Sequence, residues 1–523
     1  MRDEYDAIVV GGGLAGLTSV AYLSRYGYRT LLCEKSAKTG GLVNTFWYRG
    51  YAFDGGIRAF ENSGIVFPML KSLGIEIEFR KNPVSIGIGM RWARLSSRDS
   101  LQNYVSMLSS IFPKNASEIA KIAEEIRKVM GYMDVLYGID NPLFLEDMMD
   151  LEYLMKTLLP WLLKYQVNIR KVNRLYEPVN TYLRRITYNQ VLIDMITQHF
   201  FKDTPAFFAL SYFGLYLDYC YPIGGTGILA QKLTDFIYSA GGEILTQTAV
   251  SSVDTRKKQV STTAKTYMYK KLVWAADQKT LYESLHEEGS PLIDKQRQLV
   301  AQASGGDSIF TLFIGVNLDK DYFHSRCGVH AFYTPDSKGL SFLEPWQGIV
   351  NQKDRLYKWI GEYLEHTTYE ISCPVLRDKT LAPEGKTGII VSTLMDYSLC
   401  RYISDAGGYD EFKEFCTRKI TAVFEQSIIP GISERIEFSL CGTPLTIERE
   451  TGNSQGAITG WAFTNTKLPV ENSFKKITRS VKTPIEDVLQ CGQWTFSPSG
   501  LPVSILTGKL AADEVRKTLK GIC

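Results

Sequence analysis

Apolar runs alternate with glycine-rich turns along the chain, and the first sixty residues show this order most clearly. Residues 7–10 have the length and β-branched content of a buried parallel strand. Residues 17–26 have helical spacing and end at Gly27, and residues 29–33 form a second apolar run that finishes in Glu34. This order of elements predicts a βαβ unit within a parallel sheet.

The turn between the first strand and its helix carries the spacing G-x-G-x-x-G at Gly11, Gly13 and Gly16. In such a turn the first glycine permits a tight bend, the second lets the backbone approach a pyrophosphate, and the third lets the helix pack closely on the strand. Glu34 lies about 20 residues further on, at the position where an acidic residue accepts hydrogen bonds from the ribose hydroxyls. We therefore predict a dinucleotide site, the alternative being an ordinary βαβ turn.

Two further glycine-rich segments indicate which dinucleotide is bound. Gly40 and Gly41 follow Glu34 closely, and residues 50–56 read GYAFDGG. Small residues at these places let the chain cross the face of a bulky ring. This arrangement favours FAD over NAD, so the sequence predicts a flavin.

Later changes of pattern predict the domain organisation. Glycine-rich turns, helices and short strands recur in residues 221–277 and 468–523, and these segments are expected to join residues 1–83 in one discontinuous FAD-binding domain. Residues 84–220 have helical spacing and predict a mainly helical insertion, for substrate access or membrane contact. Residues 278–467 mix strands and helices and predict a substrate-binding α+β domain. The expected fold class is α/β, with a Rossmann-type, glutathione-reductase-like FAD domain.

Composition narrows the classes of partner. Lys and Arg number 59 against 56 Asp and Glu, a net charge of +3 that argues against nucleic acid and against a polyanionic substrate. The nine cysteines form no C-x-x-C pair and the five histidines show no ligand spacing, so no metal is expected. Aromatic residues make up 12% of the chain, which suits a roomy apolar cavity.

The sequence also bears on location. No apolar run approaches the roughly 20 residues that a membrane-spanning helix needs, and no signal peptide is recognised, so we expect a cytoplasmic protein. Residues 153–165, continued by Arg170 and Lys171, combine apolar bulk with basic side chains. Such a segment predicts peripheral contact with a membrane surface. The alternative is a buried helix whose lysines reach solvent along their stems.

The ordered set of sequence blocks resembles that of the FAD-dependent phytoene desaturase, carotenoid isomerase and retinol saturase-like oxidoreductases. The blocks are GGGLAGL with Glu34, a following GG and GYAFDGG, YPIGGTGILAQKL with GGEI and Val250, WAAD, and CGQW with SGLPVSILTGKLAA. The resemblance implies a two-domain flavoprotein whose first domain is assembled from separated segments. It also implies a second domain that lays an apolar pocket against the flavin.

The resemblance assigns FAD contacts position by position. Contacts to the ADP part and the pyrophosphate are Gly11, Gly13, Leu14, Ala15, Gly16, Glu34, Lys35, Gly41, Leu42 and Val250. Contacts to the isoalloxazine ring, the ribityl chain and the pyrimidine edge are Gly55, Gly56, Ile57, Gly492, Gln493, Leu501, Pro502 and Val503. A helix that starts near Pro502 would direct its dipole at flavin N1 and O2, where negative charge accumulates on reduction.

Arg58, Tyr219 and Tyr221 are the candidate catalytic side chains near the flavin-facing segments. Arg58 is a candidate for binding a carboxylate or carbonyl of the substrate, or for stabilising the reduced flavin. An ion pair with Asp54 or Glu61 is the alternative. The two tyrosines are candidate proton donors, and packing within an aromatic wall is their alternative role.

The predicted function is FAD-dependent desaturation, saturation or isomerisation at carbon–carbon bonds of a long apolar substrate, by resemblance an isoprenoid, carotenoid or retinoid. The reaction is hydride transfer at flavin N5. Two alternatives stay open: an amine or protoporphyrinogen oxidase-like flavoenzyme, and a reduced-flavin isomerase or non-redox lipid-binding flavoprotein. The expected partners are an apolar small molecule and an electron donor or acceptor that the sequence does not identify: NAD(P), a quinone, ferredoxin or oxygen.

Overall fold

The computed structural model describes residues 4–145, 152, 154–286 and 290–520 of the chain. Two sheets organise this part of the molecule, and a group of helices packs beside the second sheet. Within those residues, no helix combines the length and the apolar character needed to cross a bilayer.

The first sheet has the strand order of a dinucleotide-binding domain. The strand Glu4–Val10 lies between Thr30–Cys33 and Thr266–Trp274 and pairs in parallel with both. Glu243–Leu245 extends the sheet beside Thr30–Cys33, and Val488–Gln490 pairs in parallel with Thr266–Trp274. Three sequence-distant segments therefore lie side by side. Two antiparallel strands, Val250–Asp254 and Gln259–Thr262, continue the sheet at one edge.

Helices cover both faces of this sheet because its central strand is apolar on both sides. Ala7 and Val9 belong to one core, and Ile8 and Val10 belong to the other. The helices of the first core are Leu14–Arg25, Val66–Leu73, Ile228–Ser239 and Leu501–Lys520. The helices of the second core are Gln278–Ser284 and Pro291–Gln302.

This packing revises the predicted boundary at residue 278. The helices Gln278–Ser284 and Pro291–Gln302 bury Leu281, Ile293 and Val300 against the first sheet. Their apolar side chains cover a sheet face that would otherwise be exposed to water. These helices therefore pack with the predicted FAD-binding domain, although we assigned them to the substrate domain.

The second sheet is mixed and mostly antiparallel. Its strands, in spatial order, are Ile436–Gly442, Ser308–Val316, Thr387–Met395, Tyr369–Ser372, His330–Thr334, Val84–Ile88 and Arg91–Leu95. The last two strands come from the stretch that was predicted to be mainly helical. The strand Val84–Ile88 is buried along its whole length and pairs in parallel with His330–Thr334, which draws it into this sheet.

The second sheet separates a core from a cavity. Along the strand Ser308–Val316, Phe310 and Leu312 pack into the core, whereas Thr311 and Phe313 line the cavity on the other face. This is the period of two that strand geometry imposes. The helices around that core are Lys320–Arg326, Lys353–His366, Tyr397–Asp405 and Tyr409–Gln426. The helix Pro444–Thr451 follows the strand Ile436–Gly442 in the chain.

The helical group packs beside the strands Val84–Ile88 and Arg91–Leu95. Its helices are Leu101–Ile111, Ala116–Tyr137, Leu159–Val172, Val179–Leu183, Gln190–Thr197 and Ala206–Asp218, with a π-helical segment at Leu154–Leu158. Tyr153, part of the predicted membrane-contact segment, lies outside the described residues.

Two small strand pairs link the domains. Thr45–Tyr48 pairs with Tyr51–Asp54, and Phe79–Lys81 pairs with Cys220–Pro222. Both pairs are antiparallel. The first pair ends in the GYAFDGG block, so it delivers that block to the space between the two large sheets.

Candidate active site

A cavity of about 1700 Å³ lies between the glycine-rich turn of the first sheet and the second sheet. Pockets for single small molecules usually enclose roughly 300–1000 Å³. At one end the cavity is lined by residues around Gly11 and Gly13, and at the other end by aromatic side chains of the helical group. The cavity therefore has room for a large cofactor and for a second, apolar molecule.

The glycine-rich turn has the geometry that its motif predicts. Gly11 has a φ of 107°, which favours glycine, and a Cβ there would lie 2.9 Å from the Ala275 carbonyl oxygen. A Cβ on Gly16 would lie 2.0 Å from the Gly11 carbonyl oxygen, so Gly16 permits the close packing of helix on strand. The helix Leu14–Arg25 begins without a side-chain cap, which leaves main-chain N–H groups at its N-terminus available to an anion.

Glu34 stands at the end of the second strand, and both of its carboxylate oxygens accept hydrogen bonds. The Gly12 N–H donates to Oε2 at 2.6 Å, and the Ser36 N–H donates to Oε1 at 2.7 Å. These two bonds hold the carboxylate at the cavity wall. A carboxylate has about four lone-pair sites, so Glu34 keeps acceptor capacity for ribose hydroxyls.

We expect Glu34→Ala to weaken FAD binding about 10- to 100-fold. Hydrogen bonds to charged groups contribute about 1.5–3 kcal/mol, and about 1.4 kcal/mol corresponds to a factor of ten. Titration of the apoprotein with FAD, followed by flavin fluorescence, measures the affinity. Glu76→Ala changes an exposed carboxylate of the same domain and serves as the matched control. Equal affinity in the Glu34 variant and the wild type would contradict the assignment.

Two features show that this end of the cavity suits a dinucleotide. A Cβ on Gly13 would meet no atom within 4 Å, so the space beside it is open to a ligand. The Ser499 hydroxyl lines the cavity just before the last helix, is buried, and has no hydrogen-bond partner in the described part of the chain. Buried polar groups are normally bonded, so this hydroxyl indicates a polar ligand group. The residues present therefore fit the predicted FAD.

Nearly all predicted FAD contacts line this cavity. They are Gly11, Gly13, Leu14, Ala15, Glu34, Lys35, Gly41, Leu42, Gly55, Gly56, Ile57, Val250, Gly492, Gln493, Leu501, Pro502 and Val503. Gly16 lies behind the turn, where its role is packing. The last helix starts at Leu501, so Pro502 lies in its first turn and the helix N-terminus faces the cavity. The individual contacts with FAD stay predictions.

Arg58 lines the cavity, but its hydrogen bonds go to neutral oxygens. Its guanidinium donates to the main-chain oxygens of Asp54, at 2.5 Å, and of Gly56, and to the Ser392 hydroxyl at 3.0 Å. Burial lowers the pKa of Arg58 below its usual value. The bonds observed are not those of the alternative ion pair with the Asp54 or Glu61 carboxylate. Arg58 therefore holds the flavin-facing turn in shape, and its proposed contact with substrate or flavin stays a prediction.

The two candidate tyrosines have different surroundings. Tyr219 lines the cavity and stacks on His330, with ring centroids 5.8 Å apart. The Tyr221 hydroxyl instead donates to Asp54 at 2.8 Å, and the Arg377 guanidinium lies 3.9 Å from the Tyr221 ring centre. Burial raises the pKa of both tyrosines well above the usual value. Tyr221 is a fully buried packing residue away from the cavity lining, so its position does not favour a proton-donor role.

The sequence analysis missed a hydrogen-bonded histidine–glutamate pair on the cavity face of the second sheet. His330 Nε2 and Glu370 Oε1 lie 2.9 Å apart on adjacent strands, and Asn82 Nδ2 lies 2.8 Å from His330 Nδ1. Burial raises the pKa of Glu370, but the hydrogen bond with His330 and the charges of Arg58 and Arg377 outweigh it and hold that pKa below its usual value. Pairing of distant strands creates this site, so no local motif predicts it.

Aromatic side chains form the far end of the cavity. They are Tyr137, Trp161, Tyr165, Phe200, Phe208, Tyr212, Tyr216, Tyr219 and Phe332. Glu61, which the sequence analysis treated only as a partner for Arg58, lies among them. In the ranges that the structure describes, no group of three or more His, Cys, Asp and Glu side chains is placed to hold a metal ion. This end of the cavity suits an elongated apolar ligand.

Comparison with known proteins shows several distant relatives. Residues 9–73 match the family of NAD(P)-binding Rossmann-like domains. The chain is 23% identical to an all-trans-retinol 13,14-reductase of Danio rerio, over 94% of this chain and 82% of the relative. It is 24% identical to a chloroplastic prolycopene isomerase of Arabidopsis thaliana, over 86% and 73% of the two chains. A 4,4'-diapophytoene desaturase of Staphylococcus aureus is 23% identical over 98% and 99%.

Solved structures share the fold. An oxidoreductase from Methanosarcina mazei has a TM-score of 0.58 at 14% identity, covering 98% of this chain and 99% of that chain. Reduced UDP-galactopyranose mutase has a TM-score of 0.58 at 11% identity, covering 98% and 94%. The predicted α/β fold class with a Rossmann-type domain is confirmed.

The fold and the site define a two-domain, dinucleotide-binding oxidoreductase. The relatives agree with the resemblance that the sequence blocks predicted: the chain is similar to a retinol reductase, a prolycopene isomerase and a diapophytoene desaturase. The match of residues 9–73 to NAD(P)-binding Rossmann-like domains agrees with a dinucleotide cofactor, and FAD itself stays a prediction.

Proposed function

We propose that the protein is an FAD-dependent oxidoreductase that adds, removes or rearranges hydrogen at carbon–carbon bonds of a long isoprenoid of the carotenoid or retinoid class. One observation carries the proposal: a single cavity continues from the dinucleotide turn at Gly13 to the aromatic end near Trp161. A bulky cofactor and an extended apolar molecule fit this shape together. The names of the relatives refer to retinol, prolycopene and diapophytoene, which supports the substrate class.

The residues of the chain supply the surroundings for this chemistry. FAD, when bound, supplies hydride transfer. The aromatic end excludes water and orients an extended apolar chain along the cavity. The helix Leu501–Lys520 points its N-terminus at the cavity, and this positive end of its dipole favours negative charge on a bound group. The Arg58 side chain holds the turn at residues 54–56 through hydrogen bonds to its main-chain oxygens.

The first test is made on the purified protein. We expect an oxidised-flavin spectrum in visible light, release of FAD on denaturation, and an extractable apolar ligand that mass spectrometry identifies. A folded protein that stays colourless and does not retain added FAD would overturn the proposal.

Anaerobic assays with three polyenes then decide the reaction. If photoreduced enzyme returns to the oxidised spectrum while all-trans-retinol is consumed, the protein is a saturase. If prolycopene isomerises without net oxidation of the flavin, it is a reduced-flavin isomerase. If 4,4'-diapophytoene bleaches the oxidised flavin, it is a desaturase. Hydrogen peroxide released during aerobic turnover of amines, with every polyene unchanged, would instead support the amine oxidase alternative.

We also propose that the helix Leu159–Val172 contacts a membrane surface. One side carries Trp161 and Tyr165, which line the cavity, while Leu159 and Leu163 are 48% and 67% exposed. Every charged residue of this helix is basic, which suits anionic lipid headgroups. An apolar molecule that leaves a bilayer at this helix would reach the aromatic end of the cavity directly.

We expect Leu163→Glu to weaken binding to anionic vesicles about 10-fold. Burial of a leucine side chain contributes about 1.5–3 kcal/mol, and the added carboxylate repels anionic lipid. Co-sedimentation with phosphatidylcholine and phosphatidylserine vesicles measures the effect. Leu292→Glu is the matched control, because Leu292 is 69% exposed on another helix, Pro291–Gln302. Equal binding by both variants would argue against this surface.

A further inference from the structure

Glu61 is held firmly at the aromatic end of the cavity. Phe60, just before it, pairs with Cys220 through two main-chain hydrogen bonds of 2.8 and 2.9 Å. The N–H groups of the two residues after it both donate to the Asp218 carboxylate, at 2.9 and 3.3 Å. The backbone of Glu61 is therefore fixed from both sides, and its carboxyl lines the cavity.

The Glu61 carboxyl lies close to the segment that carries predicted flavin contacts. A Cβ on Gly500 would lie 3.9 Å from Glu61 Oε1, and Gly500 directly precedes the helix Leu501–Lys520, whose first turn holds predicted flavin contacts. Among the described residues, its own main-chain N–H is the donor that reaches this carboxyl, and no side chain does. A half-buried acid without a side-chain partner is costly unless it serves a purpose.

The groups around Glu61 favour its neutral form. The titratable groups that face it are Tyr137, Tyr212, Asp218, Tyr219 and Cys220. Burial raises the pKa of Glu61 to about 7, and the neighbouring Asp218 carboxylate adds to the rise. Burial also raises the pKa values of the tyrosines and of Cys220, so these groups do not compete as anions near neutral pH.

The other carboxyl of the cavity has the opposite surroundings. Glu370 is hydrogen-bonded to His330 and lies in the field of Arg58, and these interactions hold its pKa below the usual value. In the part of the chain that the structure describes, no cation acts on Glu61 in this way. Two carboxyls whose environments favour different protonation states divide the roles of acid and anion in an active site.

On the basis of the proposed function, we infer that Glu61 carries the proton that a substrate carbon gains or loses. In saturation, one carbon of the double bond gains H⁺ from the Glu61 carboxyl, and the adjacent carbon gains the hydride that reduced FAD loses on oxidation. The Glu61 carboxylate then regains H⁺ from water. In desaturation, one carbon loses H⁺ to the Glu61 carboxylate and its neighbour loses hydride to oxidised FAD, and the double bond forms.

The first measurement needs no substrate. Infrared spectra of the FAD-loaded protein are recorded from about pH 5 to about pH 9, a range that lies above the ordinary titration of carboxyls and covers raised carboxyl pKa values. A carboxylic acid band that disappears with a midpoint near 7 is expected. Glu61→Gln keeps the side-chain volume and should remove this band, whereas Glu76→Gln, at an exposed carboxylate, should leave it unchanged.

A second variant tests the position of the group. Asp218→Asn removes the neighbouring negative charge and should lower the midpoint of the Glu61 band without abolishing it. A Glu61 that is ionised over the whole range would give no titrating band for this substitution to shift.

Kinetics complete the test, with whichever of the three polyenes the wild type converts. Glu61→Gln should lower kcat about 100-fold or more, because general acid–base catalysis contributes factors of about 10² to 10⁴, while KM and the flavin spectrum stay near the wild type. Wild-type kcat in this variant would overturn the inference, as would a band with its midpoint near 7 that survives the substitution. If the proposed function is wrong, the wild type converts none of the polyenes although the Glu61 band titrates. The inference about Glu61 then fails together with the proposed function.

Discussion

Replacement of Gly13 by valine should give a folded protein that does not retain FAD. Gly13 has φ −69° and ψ 176°, an extended conformation that valine adopts without strain. A Cβ at this position meets no protein atom within 4 Å, so the new side chain projects into the open space beside the glycine turn. It would occupy the place of the diphosphate and keep it from the N–H groups of the helix Leu14–Arg25.

The expected loss of FAD affinity is about 100-fold or more. Two charge-assisted hydrogen bonds contribute about 1.5–3 kcal/mol each, and their removal together exceeds two factors of ten. The visible spectrum of the purified variant measures FAD occupancy. Added FAD should also raise the thermal midpoint of the wild type and not that of the variant, because a ligand stabilises only the state that binds it.

Gly131→Ala is the matched control for this experiment. Gly131 lies in the helix Ala116–Tyr137, and a Cβ there also meets no atom within 4 Å. Alanine is favoured over glycine in a helix interior by about 0.5–1 kcal/mol, so this variant should bind FAD normally and be slightly more stable. Full FAD occupancy in the Gly13 variant would show that the diphosphate lies elsewhere.

Removal of the Asp54 carboxylate should cost about 3–5 kcal/mol of folding free energy. Asp54 is fully buried, and its oxygens accept hydrogen bonds of 2.8–2.9 Å from the Tyr221 hydroxyl, from the Thr226 N–H and hydroxyl, and from the Thr45 hydroxyl. Asp54→Ala removes the carboxylate from these four donors, three of which belong to the buried residues Tyr221 and Thr226. Each unsatisfied group costs about 1–3 kcal/mol, reduced where the structure relaxes.

The midpoint of urea-induced unfolding measures this loss. Asp235→Ala is the control, because Asp235 is exposed on the helix Ile228–Ser239 and its removal should change the midpoint little. Asp54→Asn keeps an acceptor oxygen and should fall between the two. An unchanged midpoint in Asp54→Ala would mean that this network does not hold the GYAFDGG turn in place.

Local sequence signals predicted the dinucleotide end well, for a physical reason. Gly11 needs a positive φ, Gly16 needs close packing, and Glu34 ends a buried strand, so each residue type is required by the backbone within a few positions of it. Any chain that forms this turn needs the same residue types at the same spacing. The strand, turn and helix order therefore identified both the element and its ligand class.

Predictions that depended on long-range pairing were less accurate. The helices of residues 278–302 were assigned to the wrong domain, and the strands of residues 84–95 lay unnoticed in a helical stretch. An amphipathic helix shows that one of its sides is buried but not which sheet covers it. A short apolar segment likewise does not show which strand it pairs with in the sheet.

By itself the sequence determined the fold class, the dinucleotide turn and the family resemblance, because these depend on local backbone geometry and on motifs in order along the chain. Only the tertiary structure decided the chemistry of the cavity. It removed Tyr221 from the lining, paired His330 with Glu370, and placed Glu61 among aromatic rings without a side-chain hydrogen-bond partner in the described residues. Burial and charged neighbours set the protonation of these groups, and both arise from segments that meet only in the folded chain.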